Sequence, residues 1–251
     1  MKKITILGAG NVAYHFAKQI SENKKLILQQ IYNRSEFSSH FDKINTEKIN
    51  DLSQIKPADL YLICIKDEEI SSFSKKLPFE NQLVVHTSGN TDMLLLDKKN
   101  RRGVLYPVQS FSKDKELDFK ELSFCIEAEN KADLLLLMDI AKSFSEKIYI
   151  MDSAQRKFLH ISAVFLNNFS NHIWFLSEEI CKRNNIPFEI LKPLLAETYQ
   201  KTQDLSFFEA QTGPARRGDT QTIDAHLQLL ENNEKEIYKI LTNSIRNTYG
   251  K

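Results

Sequence analysis

Cysteine is scarce in this chain of 251 residues: Cys64, Cys125 and Cys181 are all it has, and no two of them form a C-x-x-C pair. So sparse and odd a set excludes a disulfide framework and predicts reduced thiols, as in a cytoplasm. Long apolar runs are missing as well. Ile161–Leu166 is typical of the longest, far short of the roughly 20 residues that a membrane-spanning helix needs. Lys2 and Lys3 ahead of an apolar stretch imitate a signal peptide, but Gly8, Gly10 and Asn11 interrupt that stretch and His15 and Lys18 follow it. Neither sign of charge is in excess. Lys and Arg number 34 against 33 Asp and Glu, a net charge of +1, which argues against a dedicated nucleic-acid binder. The basic group Lys98, Lys99, Arg101 and Arg102 reads as a solvated turn. His15, His40 and His226 are scattered without metal-ligand spacing, so no metal is expected. Neither a G-x-S-x-G elbow nor a G-x-x-x-x-G-K-[ST] loop occurs, which weakens hydrolase and NTPase readings. Internal repeats and low-complexity tracts are absent too.

What is present is an ordinary globular composition, 41% hydrophobic and 27% charged, long enough for one large domain or two modest ones. The first segment is the most informative. Ile4–Leu7 is a short β-branched, apolar run; Gly8-Ala9-Gly10-Asn11-Val12-Ala13 follows; then Val12, Ala13, Phe16, Ala17 and Ile20 recur at helical spacing. Strand, glycine turn and helix in that order suit a dinucleotide pyrophosphate. Gly8 allows the tight turn, Gly10 lets the backbone approach the phosphates, and Ala13 lets helix pack on strand. The helix N-terminus offers unpaired N–H groups and the positive end of its dipole. A second strand over 26–32 ends at Asn33-Arg34-Ser35, 25 positions past Gly8. An acidic residue there would favour NAD, whereas Arg34 with the small hydroxyl of Ser35 points to NADP. A solvated loop arginine is the plain alternative.

Further strands are expected at Leu60–Ile65, Gln82–His86, Val104–Phe111, Ser123–Glu127 and Ile148–Ile150, with a weak one within 44–57. Helices are expected after Lys66 and around Asp133–Phe144. This alternation predicts an α/β fold, a doubly wound parallel Rossmann sheet. Residues 153–248 instead read as helices throughout: Ala154–Asn184, Phe188–Asp204 and two more between Ile223 and Ile245. The division expected is 1–151 for the dinucleotide-binding domain and 152–251 for an all-α substrate and dimerisation domain.

Strand ends in such a sheet open into the ligand crevice, so Lys66, Asp67, His86, Thr87, Ser88 and Gly89 belong beside the nicotinamide end. His86 is either a proton donor or a strand-end histidine satisfied by a backbone carbonyl. At about 100° per residue, His160, Asn167 and Asn171 fall on one stripe of the first C-terminal helix. That stripe either faces substrate or forms a core or dimer hydrogen-bond network. Thr212-Gly213-Pro214-Ala215-Arg216-Arg217-Gly218-Asp219 is the other unusual stretch, an anion-binding element or an Arg–Asp brace.

The glycine turn, His86-Thr87-Ser88-Gly89, Tyr106-Pro107-Val108-Gln109-Ser110-Phe111, the His160–Asn171 helix and TGPARRGD together resemble one family across nearly the whole chain. It is the group of bacterial Rossmann-like proteins with a helical C-terminal domain of unknown function, which look like relatives of deazaflavin-dependent NADP reductase. More distantly they are similar to pyrroline-5-carboxylate reductase and the 6-phosphogluconate dehydrogenase superfamily. The resemblance implies NADP at Gly8, Gly10, Asn11 and Val12, with Arg34 and Ser35 on the 2′-phosphate. It also implies a cleft between domains and a homodimer formed through the helical half. The lysine–asparagine pair of many 6-phosphogluconate dehydrogenase relatives is absent, since Lys157 is followed one turn later by Ile161. His160, with Asn167, Asn168 or Asn171, stands in its place. The expected activity is therefore hydride transfer between NADP(H) and a small substrate in the cytoplasm. His160 or His86 handles the proton, and Asn168, Asn171 and Arg216 orient the substrate. A non-catalytic NADP-binding sensor or scaffold is the alternative.

Overall fold

The computed structural model describes residues 1–250, which divide into two compact units, Met1–Leu166 and Asn167 onward. The first unit is built on eight strands: β1 (Lys2–Leu7), β2 (Leu26–Tyr32), β3 (Glu47–Ile49), β4 (Leu60–Ile63), β5 (Leu83–His86), β6 (Arg101–Pro107), β7 (Phe124–Ala128) and β8 (Ile148–Ile150). They form one sheet in the order β3-β2-β1-β4-β5-β6-β7-β8. Strand order reverses between β1 and β4, the switch point outside which such sheets bind ligands. The apolar run Leu60–Ile63 has every residue buried, as a central strand covered on both faces requires. The sheet departs from the expected all-parallel form at one ladder, where β7 runs antiparallel to β6 while β8 returns parallel to β7. The reason lies in the connection: a long loop returns from the end of β6 before β7 begins, and no crossover helix intervenes.

Helices α1 (Asn11–Glu22), α2 (Asp67–Ser74) and α3 (Lys131–Lys142) cover the sheet. In α1 the buried Ala13, Phe16, Ala17 and Ile20 lie at i, i+3, i+4 and i+7, the stripe that packs on β1 and β2. Phe16, Phe119, Phe124 and Phe144 meet there edge-on, tilted or stacked, with centroids 5.4–6.2 Å apart. On α3, Asn130 caps the helix by accepting from the Asp133 N–H, and buried Asp133 pairs with Arg101.

Past the sheet, α4 (Ser153–Ala163) begins with a capping box, Asp152 accepting from Gln155 N–H while the Gln155 side chain accepts from Asp152 N–H. Arg156, on its second turn, is completely buried. It pairs with Glu127 of β7 and donates to the Thr91 carbonyl and, at 3.1 Å, to Ser153 Oγ. Those bonds fasten the start of α4 to the sheet, which is why the first compact unit extends past the last strand.

Val164–Phe169 is a π turn, followed by α5 (Ser170–Arg183), α6 (Lys192–Asp204), α7 (Phe207–Ala210), α8 (Pro214–Arg217), α9 (Thr220–Leu229) and α10 (Asn232–Tyr249). Pro193 sits in the first turn of α6, where its missing N–H costs no hydrogen bond. Within the second unit, Arg183 forms a two-pronged pair with Glu234, 3.2 and 2.7 Å, joining α5 to α10. Its apolar residues are mostly uncovered: Trp174, Phe175, Leu194, Tyr199 and Leu229 are all exposed. No helix among the described residues is long and apolar enough to cross a membrane.

Candidate functional site

Gly8 closes β1 with its N–H on the Tyr32 carbonyl, 2.8 Å. Its φ of +123° belongs to glycine, and a Cβ there would strike the Cys64 carbonyl and come within 2.9 Å of the Ile65 side chain. Gly10, the residue preceding α1, has nothing within 4 Å of where a Cβ would stand. The helical ladder starts with Tyr14 N–H on the Gly10 carbonyl, 3.0 Å, so the N–H groups of Asn11, Val12 and Ala13 lie outside it. The first turn of α1 holds no acidic residue. Unpaired donors, open space and the positive helix end coincide, the arrangement an anionic phosphate fits.

These residues form one wall of a cavity of about 670 Å³ at the β1–β4 switch point, within the range of small-molecule and cofactor sites. Gly8, Gly10, Asn11, Val12, Asn33, Ser35 and Lys66 line it, all of them expected there. Asn33 holds the loop after β2 by donating to the Ser35 carbonyl, 2.9 Å, and the Glu36 carbonyl, 3.2 Å. Arg34 does not line this cavity. Its side chain is 83% exposed, stands 3.7 Å from the Glu69 carboxylate and faces adjoining clefts. Asp67 and Ser88 are also outside the cavity, and they engage each other: Ser88 Oγ donates to Asp67 Oδ2, 2.7 Å, and accepts from the N–H groups of Asn90 and Thr91. They brace the turn after β5, on which Thr87 lines the cavity and Gly89 lies against His160.

Sequence reasoning missed the contribution of the loop after β6. Its Gln109, Phe111 and Lys113 line the cavity, and Asn11 donates its amide to the Phe111 carbonyl, 2.8 Å. The Tyr106–Phe111 motif was the available signal, but it reads as strand and turn and says nothing of a loop crossing 100 positions to reach Asn11.

The two candidate proton carriers differ sharply. His86 has no exposed surface; its Nδ1 accepts from the Ser88 N–H, 3.2 Å, and its Nε2 is buried without a hydrogen-bond partner. Burial, aided by the Arg156 charge, pulls its pKa down to about 3. His86 is therefore neutral at physiological pH and is shut away from any ligand. His160 is half-exposed, with its Nδ1 3.4 Å from the Tyr106 hydroxyl and the two rings edge-on at 6.2 Å. Burial raises the Tyr106 pKa, which keeps that phenol protonated and able to donate. A Cβ at Gly89 would lie 2.7 Å from both His160 Nδ1 and the Tyr106 ring, so the pair fits only against a glycine. Cys64, which also lines the cavity, has its thiol pushed up to about 12 by burial and stays uncharged.

The remaining predicted residues lie in the second unit. Asn168 on the π turn and Asn171 in α5 are exposed. The π turn overturns the uniform helical spacing behind the His160–Asn167–Asn171 stripe, because its wider winding changes the angle between successive side chains. Arg216 is a brace. It donates to the carbonyls of Gln211 and Glu209, the latter at 3.0 Å, and lies 5.5 Å from the Tyr249 ring centroid. Asp219 caps α9 through the Thr222 N–H, 3.1 Å, with Arg217 3.9 Å away.

Residues 122–245 match the model of a domain of unknown function (DUF2520). A Bacteroides fragilis protein whose crystal structure is described as that of a "putative NADP oxidoreductase" is 38% identical, with a TM-score of 0.89 over 98% of each chain. A Thermotoga maritima protein is 20% identical, with a TM-score of 0.78 over 99% of this chain and 100% of that one. A Plasmodium falciparum pyrroline carboxylate reductase, crystallised with NADP, has the same fold at 14% identity, TM-score 0.62, over 99% of this chain and 92% of its own. A search of curated proteins returned no significant match.

Proposed function

Because the chain belongs to the family of the Bacteroides fragilis protein, Rossmann-fold chains ending in a domain of unknown function, we propose that it is an NADP-dependent oxidoreductase acting on a small molecule. The observation that carries this reading is the Gly8–Ala13 cradle. It combines a glycine that no other residue can replace, open space over Gly10 and the N–H groups of Asn11 and Val12, outside the helical ladder, on a cavity of about 670 Å³. Those N–H groups hold the pyrophosphate, and Ser35 and Arg34 follow β2 where the adenosine ribose lies. Bound there, NADPH supplies hydride to a carbonyl or imine carbon of the substrate.

The protein's part is to position and to supply the proton. As a proton donor His160 acts in its imidazolium form, with Nδ1–H held on the Tyr106 oxygen and the Nε2 proton passing to the reduced oxygen or nitrogen, after which the neutral ring regains a proton from water. Tyr106 acts here as a positioning residue. His86, buried and neutral, has no part in proton transfer. Turnover is tested by following NADPH oxidation with a panel of aldehydes, ketones, imines and a deazaflavin, then with alanine variants of His160, Asn168 and Asn171. His160→Ala is expected to lower turnover about 100-fold or more, and His86→Gln to leave it within a few-fold. Tight NADPH binding with no oxidation anywhere on the panel would contradict the enzyme reading.

We further propose that the second unit pairs with a second copy of the chain. Phe175, Leu194, Tyr199 and Leu229 are exposed apolar side chains of this unit that a second copy would cover.

A further inference from the structure

The geometry points to Lys113 as the principal cation that reads the 2′-phosphate of the dinucleotide; this rests on the NADP reading above. Only two cationic side chains line the cavity among the described residues, Lys66 and Lys113. Lys66 immediately precedes α2, after β4. Lys113 lies on the other side of the fold's logic: its Nζ donates to Ser38 Oγ, 3.0 Å, three residues beyond Ser35 on the segment after β2. Its ammonium also lies 5.3 Å from the Phe41 ring centroid. The segment after β2 is where a ribose 2′ substituent falls in this fold. One hydrogen bond leaves an ammonium two further N–H groups for a ligand.

The backbone around Lys113 is held from both sides. Asn11 donates to the Phe111 carbonyl and His15 Nε2 to the Ser112 carbonyl, each at 2.8 Å. Beyond it, Asp114 pairs with His40 at 3.1 Å and Glu116 with Lys18 at 2.7 Å. The ammonium is thus held on Ser38 by an anchored loop, on the wall of the cavity that Ser35 also lines. Arg34, by contrast, is 83% exposed, has Glu69 beside it and lies off the cavity wall. Glu36 and Glu69 also face the cavity, so a phosphate dianion there needs a cation on the wall itself.

The test is calorimetric binding of 2′,5′-ADP and of 5′-AMP, ligands that differ only in the 2′-phosphate and need no turnover. Lys113→Met is expected to weaken 2′,5′-ADP about 10- to 100-fold and to leave 5′-AMP within two-fold. Lys113→Arg should retain most of the affinity, and Arg34→Ala should lose less than Lys113→Met. Where the methionine variant melts markedly lower than wild type, Lys113→Gln replaces it. Unchanged 2′,5′-ADP binding in these variants would overturn the assignment. So would equal loss on both ligands, which would make Lys113 a loop anchor alone. Wild-type protein that binds neither ligand would instead defeat the NADP reading on which the assignment depends.

Discussion

Gly8 and His86 are the residues at which single-atom constraints have the largest consequences. Gly8→Ala would put a Cβ into the Cys64 carbonyl at a φ of +123°, so a loss of about 2 kcal/mol or more is expected in urea unfolding, along with loss of NADPH binding. Gly10→Ala meets nothing in the protein and should leave stability within about 1 kcal/mol while impairing binding, a contrast that separates the two glycines. His86 gives a pH signature. Its folded pKa, about 3, lies below that of an unfolded histidine, so the unfolded chain binds the extra proton between about pH 6.5 and 3. Stability from this group is full above that window and drains away as pH falls through it. Between pH 7 and 5 the wild type should lose about 2 kcal/mol more than His86→Gln, measured by denaturant titration at both values. An equal slope in the two proteins would contradict the burial-driven shift. Gly8, Gly10 and the Asn33–Ser35 loop were legible in sequence because a tight turn and a phosphate approach restrict residue type locally. Lys113 was not, because its partner Ser38 lies 75 positions away and a lysine in a polar loop carries no mark of its fold neighbour.

Among the elements, β4 and α1 were readable for the same reason: burial on two faces leaves an unbroken apolar run, and burial on one stripe leaves a 3.6-residue period. Strand direction leaves no such period, so the antiparallel β7 was hidden. The π turn was hidden too, since Val164–Phe169 is built from residues an α-helix would equally take. Nothing in its sequence neighbours marks Arg156 for burial, yet it is buried and tied to Glu127, Thr91 and Ser153. Removing one member of a buried pair strands the other charge, so Glu127→Ala should cost about 3 kcal/mol, read as a shifted urea midpoint with unchanged slope. Because Arg156 also holds the 88–92 turn beside Gly89 and His160, that variant should weaken any turnover along with stability.

At the scale of the whole molecule, the chain combines a nucleotide-binding sheet, recognisable from its first 35 residues, with a helical unit whose apolar side chains are largely uncovered. Sedimentation equilibrium should therefore report a dimer at micromolar concentration, and charged substitutions at Leu194 and Tyr199 should shift it toward monomer. A monomer at all concentrations would remove the proposed pairing without touching the cofactor assignment. The cofactor assignment itself has a direct test, calorimetric titration of the wild-type protein with NADPH and with NADH. One site per chain is expected, with NADPH bound about 10-fold or more tightly than NADH; equal affinities, or no binding of either, would contradict NADP as the cofactor.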